Sequence, residues 1–300
     1  MSKNSVEQTP SETAMFAALR RTLANKEYKN EKFGPDYLAE IFLPRHFRFF
    51  LKFRKVQEDT KERLDGFLPG LNEYMIARTA YFDGLFLDAL NNEVPQIVLL
   101  GAGYDSRAYR FAKINRGTII FELDIAPTQS RKKECLRGAR IDIPQQVKFV
   151  PINFKEDSLK DVLENAGYEN REKTLFLWEG VSYYLNVESV DATLEFVSHS
   201  QHNETAIAFD YTISISEENM DDYYGAREFA QTMHEHHADE ELMFSIEEGT
   251  TESFLEQRDL KMVDHLNNEE IERTFLVDDN GSLIGQITGH FRFVSASIRP

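Results

Sequence analysis

Residues Ile97 to Arg110 read IVLLGAGYDSRAYR, and this stretch restricts the possible folds more than any other in the chain. Ile97, Val98, Leu99 and Leu100 show no polar alternation and include two β-branched residues, which predicts a short strand buried on both faces. Gly101 and Gly103 then let the backbone turn sharply and approach a ligand. A strand that runs through glycines into a helix start presents backbone N–H groups and a helix dipole to a nucleotide-like guest.

The rest of the chain supports that reading. After Pro95, strand-like runs recur at 97–100, 118–123, 147–150, 174–178, 205–209, 260–265 and 291–298. Helical patterns separate most of them, near 105–113, 127–137, 156–167, 187–201 and 250–259. This alternation predicts a mostly parallel sheet covered on both faces. The link DDNGSLIGQITG before Phe291 has no room for a crossover helix, so the last strand should run antiparallel. The segment 211–245 is an acidic, aromatic insertion, helical around 218–237. Upstream, residues 11–90 are helical throughout, with Ser11 as a cap, Phe16, Leu19 and Leu23 on one face, and turns at Gly34–Pro35 and Pro44.

Composition removes several functions. A formal charge of −17 over 300 residues argues against a polyanionic partner such as nucleic acid. Cys135 is the only cysteine, so no internal disulfide or thiolate cluster can form, and a reducing compartment is expected. The first residues lack the apolar core of a signal peptide and no run is long and apolar enough to span a bilayer. The expectation is a soluble, cytoplasmic protein with no membrane partner.

Two segments carry unusual charge. RHFRFFLKFRK, 45–55, packs phenylalanines between basic residues. It reads either as an amphipathic helix with Phe47, Phe50 and Leu51 in the core, or as a lid with a positive underside. NEYMIARTAYFDGLFLDAL, 72–90, is a strongly apolar helix holding Arg78 and Asp83. These two either pair with each other, or Arg78 snorkels to solvent, or Arg78 grips a ligand carboxylate with its planar fork.

The identity of the guest is narrowed by the residues after the turn. A dinucleotide fingerprint wants a third glycine where this chain has Ser106, and Asp105 would repel a pyrophosphate. Glu122 and Asp124 close the second strand about twenty residues on, the spacing of a carboxylate that meets ribose hydroxyls. A ribose without phosphate describes S-adenosylmethionine.

Four motifs in order, ARTAYFD, LLGAGYDSRAYR, FELD and LWEGVSYYL, resemble the leucine carboxyl methyltransferase-like group of S-adenosylmethionine-dependent O-methyltransferases, bacterial small-molecule members included. The resemblance spans most of the chain. It implies a class I methyltransferase, Rossmann-like α/β fold with seven strands, the last antiparallel, a helical N-terminal cap over 1–92 and a core over 93–300 with the insertion 211–245. It also implies that Arg78 holds the methionine carboxylate, that Gly101, Ala102 and Gly103 line the methionine part with Asp105 near its ammonium group, and that Asp124 with Glu122 faces the ribose. Asn153 and Phe154 stand where the family has an Asp-Leu pair beside the adenine. Glu179 would lie near the transferring methyl with Tyr183 and Tyr184 behind it. Read without the resemblance, Glu179 is a helix-start carboxylate and the tyrosines are core rings with a wet tip.

Methyl transfer to an oxygen needs alignment and exclusion of water. A carboxylate acceptor is already ionised and needs only a cation to orient it, whereas a hydroxyl needs a base in reach. His234, His236 and His237 are visible candidates, with His46 and His265 behind them. His234 and His237 share a helical face, but spacing points to no third ligand and no metal is expected. The leading expectation is O-methylation of a small-molecule carboxylate or hydroxyl. The alternatives are a protein C-terminal carboxylate acceptor, an NAD-type oxidoreductase, or a non-catalytic binding module on the same fold.

Overall fold

The computed structural model describes residues 9–30, 32–154, 156–236 and 242–299, the side chain of His236 excepted. Strands β1 (Gln96–Leu100), β2 (Ile119–Asp124), β3 (Val147–Pro151), β4 (Thr174–Trp178), β5 (Ala206–Thr212), β6 (Leu260–Leu266) and β7 (Phe291–Ile298) form one sheet in the order β3-β2-β1-β4-β5-β7-β6. β1 pairs in parallel with both β2 and β4. The strand order therefore reverses beside β1, which opens a crevice at the carboxyl ends of β1 and β4. The last strand runs antiparallel to both of its neighbours, β5 and β6.

Every residue of β1 is buried because successive side chains enter different cores. Ile97 and Leu99 join a cluster with Phe82, Phe86 and Leu136, while Val98 and Leu100 join one with Leu163, Val190, Leu194 and Val197. The first cluster is built by α1 (Glu12–Tyr28), α4 (Leu71–Asn91) and α6 (Ala126–Gly138), and the second by α7 (Leu159–Asn165) and α8 (Val187–Ser198). α4 is apolar on nearly all sides and is accordingly buried along most of its length. Ser11 caps α1 by accepting from Ala14 N at 3.0 Å, and its own N–H donates to Thr128 Oγ1 of α6 at 3.0 Å, which seats α1 across the carboxyl end of the sheet.

Several local expectations change. α2 (Arg45–Phe50) and α3 (Arg54–Phe67) contain no buried residue. Phe47 and Phe50 are 43% and 53% exposed, and of the three proposed core side chains only Leu51 is buried. The helix expected near 105–113 is a single turn, α5 (Arg107–Arg110), because Asp105 and Ser106 are committed to side-chain contacts described below. In the insertion, a 3-10 turn at Met220–Asp222 precedes α9 (Ala226–His236), with a break at Gly225, whose φ of +68° and contact with Pro69 O leave no room for a Cβ. α10 (Thr251–Glu256) is shorter than expected, and α11 (Asn268–Phe275) stands where no helix was placed. Its signal is the reciprocal capping box of Asn267 and Glu270, legible in the sequence and overlooked.

Candidate functional site

The crevice holds a cavity of about 510 Å³ between the carboxyl ends of the strands, α1, α4 and the insertion. Of the residues selected from sequence, Arg78, Gly101, Ala102, Gly103, Asp105, Asp124, Asn153, Phe154, Glu179, Tyr183 and Tyr184 all line it, whereas Glu122 and His234 do not.

The turn after β1 is built tightly. Gly101 and Gly103 have φ of +71° and +43°, and a Cβ on Gly101 would lie 2.4 Å from Val181 Cγ2. Only glycine combines that conformation with that approach. Ala102 N donates to Leu123 O at 2.7 Å, and Gly103 N donates to Asp124 Oδ2 at 2.6 Å, so the end of β2 braces the turn. Asp124 Oδ1 accepts from Ile125 N at 2.8 Å. Burial raises the Asp124 pKa above the usual carboxylate range, with the Gly103 and Ile125 N–H groups opposing the shift. Ser106, at the position of a third glycine, donates to Asp36 Oδ1 at 2.7 Å and accepts from Arg110 Nε at 2.8 Å. It anchors the 35–39 loop under the turn.

A network of opposite charges lies beside the turn. Arg78 Nε donates to Glu179 Oε1 at 3.0 Å, and its Nη1 donates to Tyr183 OH at 3.2 Å and Asp210 Oδ2 at 3.3 Å. Arg107 reaches Asp83 Oδ1 at 2.7 Å through Nε, and Asp105 Oδ2 at 2.5 Å and Glu179 Oε2 at 2.7 Å through Nη1. The Glu179 carboxylate thus bridges two guanidiniums. Burial works against charge on both arginines, but the carboxylates around them, Glu179 and Asp210 at Arg78 and Asp105, Glu179 and Asp83 at Arg107, hold them firmly protonated. Burial alone would raise Asp105, yet the Arg107 guanidinium brings it below its ordinary value. Gly180, at φ +72°, sits against this cluster, and a Cβ there would lie 2.9 Å from Arg78 Nη1.

Arg78 and Asp83 do not pair. They point to different sides of α4, and Asp83 is taken by Arg107 and by Arg110, whose Nη1 lies 2.7 Å away. Glu122, expected at the ribose, instead faces the core beneath α6, where Lys132 Nζ lies 2.8 Å from Oε2 and Tyr109 OH donates to Oε1 at 3.1 Å. Asp124, two residues on and so on the same face of the strand, is the last residue of β2, and there its carboxylate meets Gly103 N and the cavity. His234 is exposed on α9, although its neighbour Met233 lines the cavity. The His236 side chain and His237 lie outside the described residues, His46 is exposed, and His265 contacts Tyr211 OH at 2.9 Å on β6. No described histidine lines the cavity.

Three further residues of this arrangement escaped the sequence reading. Asp210 is fully buried in β5 and binds Arg78, Tyr74 OH at 2.5 Å and Gly180 N at 2.6 Å. Burial raises its pKa, opposed by Arg78. A lone carboxylate inside AIAFDYT was the available signal. Arg107 was visible in DSRAYR as a second candidate clamp. Arg20 lies at the other end of the cavity, among Phe16, Leu68, Leu71 and Met75. Its guanidinium is 4.7 Å from the Phe16 ring centroid, and its Nη1 donates to Asn72 Oδ1, while Asn72 Nδ2 donates in turn to Asp65 Oδ1. Arg20 Nε and Nη2 are buried and have no hydrogen-bond partner among the described residues. Burial lowers this arginine to about 10, with Asp65 and Glu73 opposing. The remaining Nε–Nη2 edge is the fork that binds a carboxylate side-on.

Residues 14–198 match the sequence model described as leucine carboxyl methyltransferase. A Mycobacterium tuberculosis protein, whose name describes an S-adenosyl-L-methionine-dependent methyltransferase, is 29% identical over 192 residues, 62% of this chain and 58% of its own length. YktD of Bacillus subtilis, named likewise, is 32% identical over 136 residues, 45% of this chain and 44% of its own. The chain therefore spans less than two thirds of these relatives. Among solved structures, a Thermobifida fusca protein described as a methyltransferase superposes with a TM-score of 0.59 at 12% identity over 97% of this chain and 96% of its own. A DUF574 family protein from Streptomyces avermitilis does so with 0.59 at 11% identity, covering 98% and 99%. These two share the fold.

Proposed function

The chain belongs to the leucine carboxyl methyltransferase family, and on that premise we propose that it is an S-adenosylmethionine-dependent O-methyltransferase whose small-molecule acceptor presents a carboxylate. The observation that carries the cofactor is the charge pattern beside the glycine turn. Arg78, Arg107 and Arg110 are each matched there by carboxylates, which leaves no cluster of unmatched cations for a pyrophosphate. A wall of alternating cations and anions suits a zwitterionic amino-acid end and counts against a dinucleotide.

In this reading Arg78, whose Nη2 makes no hydrogen bond among the described residues, takes the methionine carboxylate. Asp105 faces the ammonium group, Asp124 the ribose, and Asn153 with Phe154 the adenine. Glu179 and Asp210 fix the Arg78 guanidinium in place. Bound S-adenosylmethionine supplies the methyl group, which a carboxylate oxygen accepts without giving up a proton. The protein's part is then alignment and exclusion of water by α1 and the insertion, an effect worth roughly 7–11 kcal/mol in favourable cases.

Two features favour a carboxylate over a hydroxyl acceptor. The described histidines all lie away from the cavity wall, and Arg20 offers an unfilled bidentate edge at the apolar end. Calorimetric titration with S-adenosylhomocysteine tests the first half: binding is expected, and a wild type that does not bind sinks the reading. With that ligand bound, benzoate, cinnamate and octanoate should raise the melting temperature while their amides do not. Arg20→Met should weaken the acids roughly 10- to 100-fold, the worth of a charge-assisted contact, and leave S-adenosylhomocysteine affinity unchanged. Equal response to acids and amides would reject the carboxylate and keep the methyltransferase.

A further inference from the structure

The exposed phenylalanines of α2 and of the turn that leads into α3 form a feature that the cavity does not use. Phe47, Phe49, Phe50 and Phe53 are 43%, 56%, 53% and 54% exposed, too far out of the core to be its edge. They are also contiguous, since the Phe49 ring lies 5.8 Å from that of Phe50 and 5.9 Å from that of Phe53, in edge contacts. Isolated apolar side chains on a surface need no explanation, but a joined patch does.

Cations surround it. Arg45, Arg48, Lys52, Arg54 and Lys55 interleave with the rings, and no acidic residue occurs between Glu40 and Glu58. Arg54 is bound to Glu58 at 2.7 Å, while the other four form no ion pair among the described residues. This all-positive stretch sits in a chain whose formal charge is −17. A second copy of the chain docking through the same face would bring cations against cations, because a two-fold contact repeats the patch on both sides. The chemistry that accepts both features is an anionic headgroup layer over an acyl boundary, where aromatic rings insert and Lys and Arg stay with the phosphates.

We propose that the face formed by residues 45–55, α2 and the start of α3, docks on an anionic lipid surface. Such a contact requires no spanning segment, and among the described residues no helix is long and apolar enough to cross a membrane. The expectation of no membrane partner came from the absence of a spanning run and does not bear on an interfacial one. α3 leads directly into Leu68 and Leu71, which line the apolar end of the cavity, so the docked face adjoins the acceptor end of the site.

The test is co-sedimentation of the full chain with vesicles of phosphatidylcholine alone and of phosphatidylcholine with about 30% phosphatidylglycerol. Binding is expected only to the anionic vesicles, with release as salt is raised to about 0.5 M. Phe49→Ser with Phe50→Ser, and separately Arg48→Glu with Lys52→Glu, should each weaken it at least about tenfold at unchanged melting temperature. Either pair suffices if the other does not fold. Absence of binding to anionic vesicles, equal binding to both kinds, or variants that bind as the wild type does would overturn the proposal. So would a wild-type dimer that Phe49→Ser splits without any vesicle binding, which would assign the face to a protein contact.

Discussion

The same two residue types, arginine and phenylalanine, build two regions of this molecule with opposite outcomes. Around the cavity, Arg78 and Arg107 are almost completely buried and meet carboxylates from α4, the glycine turn, the β4 end and β5. Phe291 and Phe229 pack beside them. On α2 and the turn after it, Arg45 and Lys52 stand in solvent and the rings beside them are half exposed. The difference lies in the supply of partners. Burying two charged guanidiniums side by side is offset by anions that several elements deliver to one point, and the carboxyl end of the sheet is the place where they converge. α2 is six residues long and has no second layer above it.

The contrast sets an order of expected effects. Arg78→Ala strands Glu179 and Asp210 in a buried site and should cost about 3–5 kcal/mol, the usual penalty for breaking a buried pair. Chemical denaturation reads this loss, and calorimetry should show S-adenosylhomocysteine binding abolished. A variant as stable as the wild type would show that the network is not the support described here. Gly101→Ala should follow, at roughly 1–3 kcal/mol, since it adds a strained φ and a clash with Val181. Its melting temperature should fall and Gly180→Ala should behave similarly.

A pH dependence comes next. Burial would raise Asp36, but Arg21 and Arg110 more than offset it and its folded pKa is lowered. A carboxylate depressed in the folded state adds stability above its unfolded pKa of about 4, and that stability is lost as pH falls through the folded value. Asp36→Asn should therefore be less stable than wild type at neutral pH, and the two melting curves should converge below about pH 4. Asp124 has the opposite sign, since burial raises it. Its ionisation weakens the fold as pH rises above about 4, but Asp124→Asn, which removes that charge, can accept from only one of Gly103 N and Ile125 N, so its stability should vary less with pH than that of the wild type while ligand affinity falls. The smallest effect belongs to the exposed region, where Arg45→Ala should change stability by less than about 0.5 kcal/mol. A larger loss in a melting experiment would show that α2 is held by contacts like those of the cavity.

Legibility in the sequence followed the same division. The strand of 97–100, its glycines and Asp124 were recognised because burial on two faces and a positive φ leave local marks. Arg78 was recognised as a misplaced charge, and by the same logic Asp210 could have been. Their pairing could not be read, since Arg78 lies 101 residues from Glu179 and 132 from Asp210. Asp83, only five positions from Arg78, was one of the partners left open for it, and the structure gives Asp83 to Arg107 and Arg110 instead, because closeness in sequence is not a shared helical face. The 45–55 segment misled for another reason: an amphipathic pattern tells which residues share a face but not whether anything covers it.

The sequence alone determined the alternation of strands and helices, the antiparallel last strand and the glycine turn after the first strand, since each is written in short local runs. Only the tertiary structure decided which carboxylate answers which guanidinium, that Glu122 turns to the core while Asp124 reaches the cavity, that Arg20 Nε and Nη2 are buried without a hydrogen-bond partner among the described residues and that Phe47 and Phe50 face solvent. Those outcomes depend on what distant segments bring to one place, and electrostatic pairing and burial are properties of that place.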